Sequence, residues 1–131
     1  MITPGVTNVQ NVLGQQAWTS WTPTFTAASG TFTTITVTEA KYLARGKDIE
    51  WVIDFTITDK GSAQFDIRFT MPTTIVQIET HIGINPTSAT TTYQATSFGG
   101  TNQTWVLTHT NGDPIADGVR ISIRGRYRAV A

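Results

Sequence analysis

Seven turn signals punctuate this sequence: Ser29-Gly30, Gly46-Lys47, Lys60-Gly61, Met71-Pro72, Asn85-Pro86, Gly99-Gly100 and Asn111-Gly112. They fall about 11–16 residues apart, with short alternating apolar/polar runs between them. Regular strands at that spacing mark an all-β sandwich or barrel. Threonine reinforces the reading. It supplies 26 of the 131 residues, and its β-branched, stiff side chain suits a pleated, half-exposed surface. Charged residues are only 14% of the chain, against about 25% in an average globular protein. Nine basic and nine acidic residues cancel. A nucleic-acid binder needs a basic excess to displace counterions, and a polybasic membrane-surface protein needs the same, so neither class is expected. The chain has no cysteine, which excludes disulfides, thiolate metal sites and cysteine nucleophiles. The opening MITPGVTNVQ has neither a basic stretch nor an apolar core, so no secretory leader is expected. The longest apolar runs are a few residues, too short for a membrane helix.

Residues 1–17 differ from the rest: polar, uncharged and without alternation. They are expected to form an N-terminal docking arm, followed by a β-domain over residues 18–131. Val6, Val9, Val12 and Leu13 are spaced to present a small apolar strip, which would order against a partner. The domain itself is expected to be an antiparallel two-sheet sandwich, jelly-roll-like, with about eight or nine strands.

Two hairpins can be registered from the pattern. A two-residue loop at Gly46-Lys47 sets Tyr42 opposite Trp51 and Ala44 opposite Ile49. A turn centred on Gly61 sets Ile57, Phe55 and Ile53 opposite Phe65, Ile67 and Phe69, with Asp54 opposite Arg68 on the other face. A one-residue slip would oppose apolar to polar groups, so the pattern favours this register. The last strand places Val119, Ile121, Ile123 and Tyr127 on one face and Arg120, Ser122, Arg124, Arg126 and Arg128 on the other.

Chemistry-bearing residues are few. His81 shares a strand face with Gln77 and Glu79, and His109 alternates with Trp105 and Leu107; both read as satisfied strand histidines rather than bases. Asn111-Gly112-Asp113 with Asp117 offers calcium-type oxygens but is also an ordinary turn sequence. Asp54 and Asp66 could form a glycosidase pair, but Arg68 opposite Asp54 favours an ion pair. No catalytic residue, metal or cofactor is therefore expected. The arginine row reads as a solvated or ion-paired face, a subunit interface, or a site for an acidic polymer. Tyr93 and Phe98 flank a Thr/Ser-rich stretch ending at Gly99-Gly100. Such aromatics can stack on sugar rings, with core packing as the competing reading. Trp18 and Trp21 stand at the junction of arm and domain, where a neighbouring subunit could cover them.

The anchors WTPTF (Trp21–Phe25), YLARGKDIEW (Tyr42–Trp51), Met71-Pro72 and ISIRGRYRA (Ile121–Ala129) resemble, in that order, a recurring module of tailed-bacteriophage tail fibres and receptor-binding proteins. The resemblance implies a β-sandwich, commonly trimeric, on the exterior of a virion, docked to another virion protein through the arm and meeting a host surface glycan. It carries over no catalytic residue. Because the module begins after only 17 residues, a small free-standing virion protein is expected. A capsid decoration protein is the nearest alternative, and a carbohydrate-binding module or small glycan-active enzyme is an alternative of another class.

Overall fold

The computed structural model describes residues 17–108 and 112–130. Among these the structure is all-β, with nine strands: β1 (Thr19–Ser20), β2 (Phe25–Ser29), β3 (Thr34–Arg45), β4 (Asp48–Asp59), β5 (Gln64–Thr70), β6 (Glu79–Asn85), β7 (Ser88–Ser97), β8 (Gln103–Thr108) and β9 (Arg120–Arg128). Where the alternation predicts two stacked sheets, the strands form one antiparallel sheet in the order β1-β3-β4-β9-β6-β7-β8-β5-β2. It curls into a half-barrel. The arm and its strip (Val6, Val9, Val12, Leu13) lie outside the described residues, apart from Ala17, and so does His109.

The β3–β4 hairpin has the expected register, with Tyr42 opposite Trp51 and Ala44 opposite Ile49. Gly46 takes φ +62° at the first loop position, which a tight two-residue hairpin loop requires and glycine supplies without steric cost. β9 also presents the expected faces: Ile121, Ile123 and Tyr127 are buried, while Arg124, Arg126 and Arg128 are exposed.

The second hairpin is different. β4 and β5 do not pair. β4 lies between β3 and β9, and β5 between β2 and β8. The cause is local. The segment joining β2 to β3 is wedged at the base of the turn, with Thr33 N–H donating to Asp59 O at 3.1 Å and Ser62 N–H to Thr31 O at 3.1 Å. Those bonds occupy backbone groups that a β4–β5 ladder would use. Gly61 permits the wedge, since a Cβ there would stand 2.5 Å from Thr33 Oγ1. Consequently Asp54 does not meet Arg68. Asp54 accepts two hydrogen bonds from Arg120, at 2.9 and 2.7 Å, and Arg68 pairs with Asp66 on its own strand.

Of the apolar faces assigned from alternation, Ile53, Phe55, Ile57, Ile67 and Phe69 still share one core, but across the interior of the curl. Phe65, expected opposite Ile57, is instead 58% exposed, its backbone turned to φ +83°. Phe55 of β4 lies 6.1 Å from Phe69 of β5 and 4.9 Å from Phe25 of β2, centroid to centroid. Trp51, Ile53, Phe55, Ile57, Ile67, Phe69, Ile121 and Ile123 are each at most 1% exposed. Each such side chain stabilises the fold by about 1.5–3 kcal/mol relative to exposure.

β6 inverts the usual polarity. Gly83 and the partly buried His81 point into the curl, while Ile82 and Ile84 point out, 75% and 52% exposed. The interior has no room for larger groups here. A Cβ on Gly83 would stand 2.7 Å from Ile123 Cγ1, and one on Gly125 would stand 2.6 Å from His81 Nδ1. His81 meets Trp51 edge-on at 5.2 Å, and its Nε2 lies 3.3 Å from Ser97 Oγ, which bonds Thr104 Oγ1 at 2.8 Å.

Candidate functional site: a charged groove on the outer face of β4 and β9

Alternation on β9 sends its arginines outward, and β4 answers with acids. The ladder sets Asp48 opposite Arg128, Glu50 opposite Arg126 and Val52 opposite Arg124. The tight β3–β4 turn brings Arg45 beside Asp48. Glu50 Oε1 accepts from Arg45 Nη1 at 3.1 Å and lies 3.6 Å from Arg126 Nη2. The segment before β6 is tied to the end of β9, with Val76 N–H donating to Arg128 O at 2.8 Å. That tie carries Gln77 and Glu79 to the same place. Together these residues line a depression of about 350 Å³. A second depression, of about 220 Å³, shares Glu50 and Arg126 with it and runs on to Trp18 and Arg124. Trp18 is 39% exposed, with Lys41 Nζ 5.8 Å from its ring centroid.

The residues expected to act from sequence are scattered. Tyr93 is a core residue, 3% exposed. It falls on the inward face of β7 with Ala95 and Ser97, so it cannot serve as a sugar platform. Phe98, at the end of that strand, is half-buried and packs on Trp105 at 4.6 Å. The Arg68 guanidinium covers the Trp105 ring at 3.7 Å. Trp21 is held by its own domain, donating from Nε1 to Thr70 O at 2.8 Å and meeting Tyr42 edge-on at 6.2 Å. Of the two junction tryptophans, Trp18 is the exposed one.

Two loop carboxylates serve the fold. Asp113 accepts from Phe65 N–H and Ile115 N–H, and Asp117 from Lys60 N–H. These carboxylates staple loops, and no cluster of metal-type ligands occurs among the described residues. Burial pushes the His81 imidazole below its ordinary value. The contact with Asp54 holds the Arg120 guanidinium in its charged form.

The groove's arginines are visible in sequence as a row. Its acids do not stand out there, although Ile49 inward implies Glu50 outward. Gln77 and Glu79 arrive from a segment roughly thirty residues downstream of the hairpin loop in the chain, which alternation cannot place. The chain matches no family model, no curated protein and no solved structure.

Proposed function

We propose that this chain is a non-enzymatic structural protein of a tailed-phage virion, of tail-fibre or receptor-binding type, and that it works by assembling with copies of itself. The sequence likeness supplies the virion context. The observation that carries self-assembly is the apolar outer strip running into β6: Val76, Ile78, Ile82 and Ile84, exposed by 45%, 60%, 75% and 52%. Ile82 and Ile84 stand at alternate positions on the outer face of β6, and the exposed Val76 and Ile78 lie in the irregular segment just before it. Scattered apolar residues on a surface need no explanation, but a contiguous strip marks a contact. Its neighbours across β7 are Thr92, Gln94 and Thr96, which are uncharged and can both donate and accept. β6 lies in the middle of the sheet, so a partner must pack face to face rather than add a strand. The net charge of zero removes the repulsion that keeps like molecules apart.

Sedimentation equilibrium tests this. The expected mass is a multiple of the 14.3 kDa chain, falling to that of the single chain when Ile82→Lys and Ile84→Lys are combined, with the circular dichroism unchanged. A wild-type protein that stays monomeric at high concentration overturns the assembly reading. Antibody labelling of virions that carry the chain tests the location. Tail label is expected, label on the capsid lattice favours a decoration protein, and unlabelled particles overturn the virion reading.

A further inference from the structure

The outer face of the sheet changes chemistry between β9 and β6. Over β3, β4 and β9 it carries Lys41, Glu50, Arg124 and Arg126. On β6 it carries the exposed Ile82 and Ile84, with Val76 and Ile78 exposed just before them. The chain enters the domain on this same face. β1 is the edge strand beside β3, and Trp18 directly precedes it. The Trp18 ring centroid lies 5.8 Å from Lys41 Nζ, and the ring lines the smaller depression with Arg124 and Arg126.

Sixteen residues precede Ala17, and their chemistry runs in the same order as that of the surface. Nearest the domain stand Gly14, Gln15 and Gln16, which are uncharged, and beyond them Leu13, Val12, Val9 and Val6. The lengths agree as well. Four strand spacings separate β1 from β6, about 19 Å at roughly 4.8 Å each. Leu13 stands six residues before Thr19, a reach of about 20 Å for extended chain. Glutamine amides both donate and accept, so they find partners among ammonium, guanidinium and carboxylate groups alike. Aliphatic groups gain by leaving water, and the exposed aliphatic surface that Leu13 reaches across this face is the strip at β6. An arm tethered to its own domain also meets that strip at an effective concentration in the millimolar range, which separate copies do not approach in dilute solution.

We infer that the chain's own arm crosses β3, β4 and β9 and covers the strip at β6 with Leu13, Val12 and Val9. The strip then has two competing covers, the arm and a second copy, and assembly requires the arm to leave. The cover stands on the arm's length and chemistry, whereas its effect on assembly rests on the self-association reading.

The chain has no cysteine, so Val9→Cys gives a single attachment point for a nitroxide. Methyl NMR of the labelled full chain should show the strongest broadening at Ile78, Ile82 and Ile84, and Ile84→Lys should abolish it. Broadening strongest at Leu43, beside the point where the arm is tethered, overturns the cover. So does broadening of isotope-labelled chains by nitroxide on other chains in a mixture, which would make the arm an exchanged one. Sedimentation then reads the consequence. If the strip is uncovered about a tenth of the time, the full chain carrying Val12→Ser and Leu13→Ser should associate at about tenfold lower concentration than the wild type. An unchanged midpoint overturns the competition. If neither protein associates at any concentration, the self-association reading has failed, and the broadening pattern still decides the cover.

Discussion

Strand β9 has two neighbours and treats them differently. With β4 it forms a ladder of nine registered residues, Asp48 to Thr56. With β6 it pairs through two, Gly83 opposite Ile123 and Ile84 opposite Ser122. On the β4 side both faces are occupied, with aromatic and aliphatic groups inside and ion pairs outside. On the β6 side the inner face narrows to Gly83, Gly125 and the edge of His81, and the outer face is bare isoleucine. A long ladder commits a strand pair to a nearly common plane, while a two-residue seam lets the sheet turn sharply. The pairing is shortest where the inward side chains are smallest, and the same place carries the outward isoleucines proposed for assembly.

The ladder side should be the more sensitive to truncation. Phe55 is fully buried and meets Phe25 and Phe69. Phe55→Ala should cost about 3–5 kcal/mol, read as a fall in the urea midpoint with unchanged slope. A cost near that of a surface change would show that the rings do not meet.

At the seam, enlargement should do the damage. A Cβ on Gly125 would stand 2.6 Å from His81 Nδ1 and 2.8 Å from Trp51 Cζ2, so Gly125→Val should cost about 1–3 kcal/mol by overpacking. Combining it with His81→Ala should recover part of that loss, because the two side chains compete for one space. Strict additivity in the double-mutant cycle would break the comparison.

Acid should weaken the seam before it touches the ladder. Burial holds His81 below its ordinary 6.5, so between the two values the unfolded chain binds more protons than the folded one. Stability is then complete above about pH 6.5 and declines as the pH falls toward the lowered folded value. Melting temperatures measured from about pH 7 to about pH 5 should show this decline, and His81→Gln should flatten it. An equal slope in the variant assigns the acid sensitivity elsewhere.

How far the sequence reaches follows from the same contrast. Alternation reports which face a residue takes, and it places the inward face of β4 and both faces of β9. On β3 it pairs Ala44 with the inward Ile49, where Ala44 is exposed and Leu43 is buried instead. The tight Gly46-Lys47 turn adds a register. Alternation does not report which strand lies alongside. Phe55 and Ile67 are both inward residues, and the pattern is satisfied whether they meet along a ladder or across a cavity. The choice is made by Thr31 and Thr33 binding the base of the turn, a contact between segments about thirty residues apart. β6 misleads for a further reason. Its outward isoleucines follow from the volume already filled by Ile123, Trp51 and Tyr93, which no local pattern contains. Tyr93 is open to two readings because an aromatic beside threonines looks the same in a core strand and on a sugar platform. The arginine row is legible, but the groove needs three chain segments to meet.

The smallest expected effect tests the bare face of the seam. Ile82 is 75% exposed and stands opposite Gln94 on β7, so in a single chain its side chain buries little apolar area. Replacing it with threonine keeps the β-branch, and with it the strand preference, while removing most of the apolar surface that a partner would cover. In a monomeric background, where Ile84→Lys removes self-association, Ile82→Thr should change unfolding free energy by no more than about 0.5 kcal/mol. In the otherwise wild-type chain the same substitution should lower the melting temperature by an amount that grows with protein concentration, since a self-associating chain gains stability by mass action. Melting curves over a concentration series separate the two. A large loss in the monomer would mean that the isoleucine is covered within its own chain. Equal, concentration-independent curves in both backgrounds would mean that the strip has no partner of its own kind.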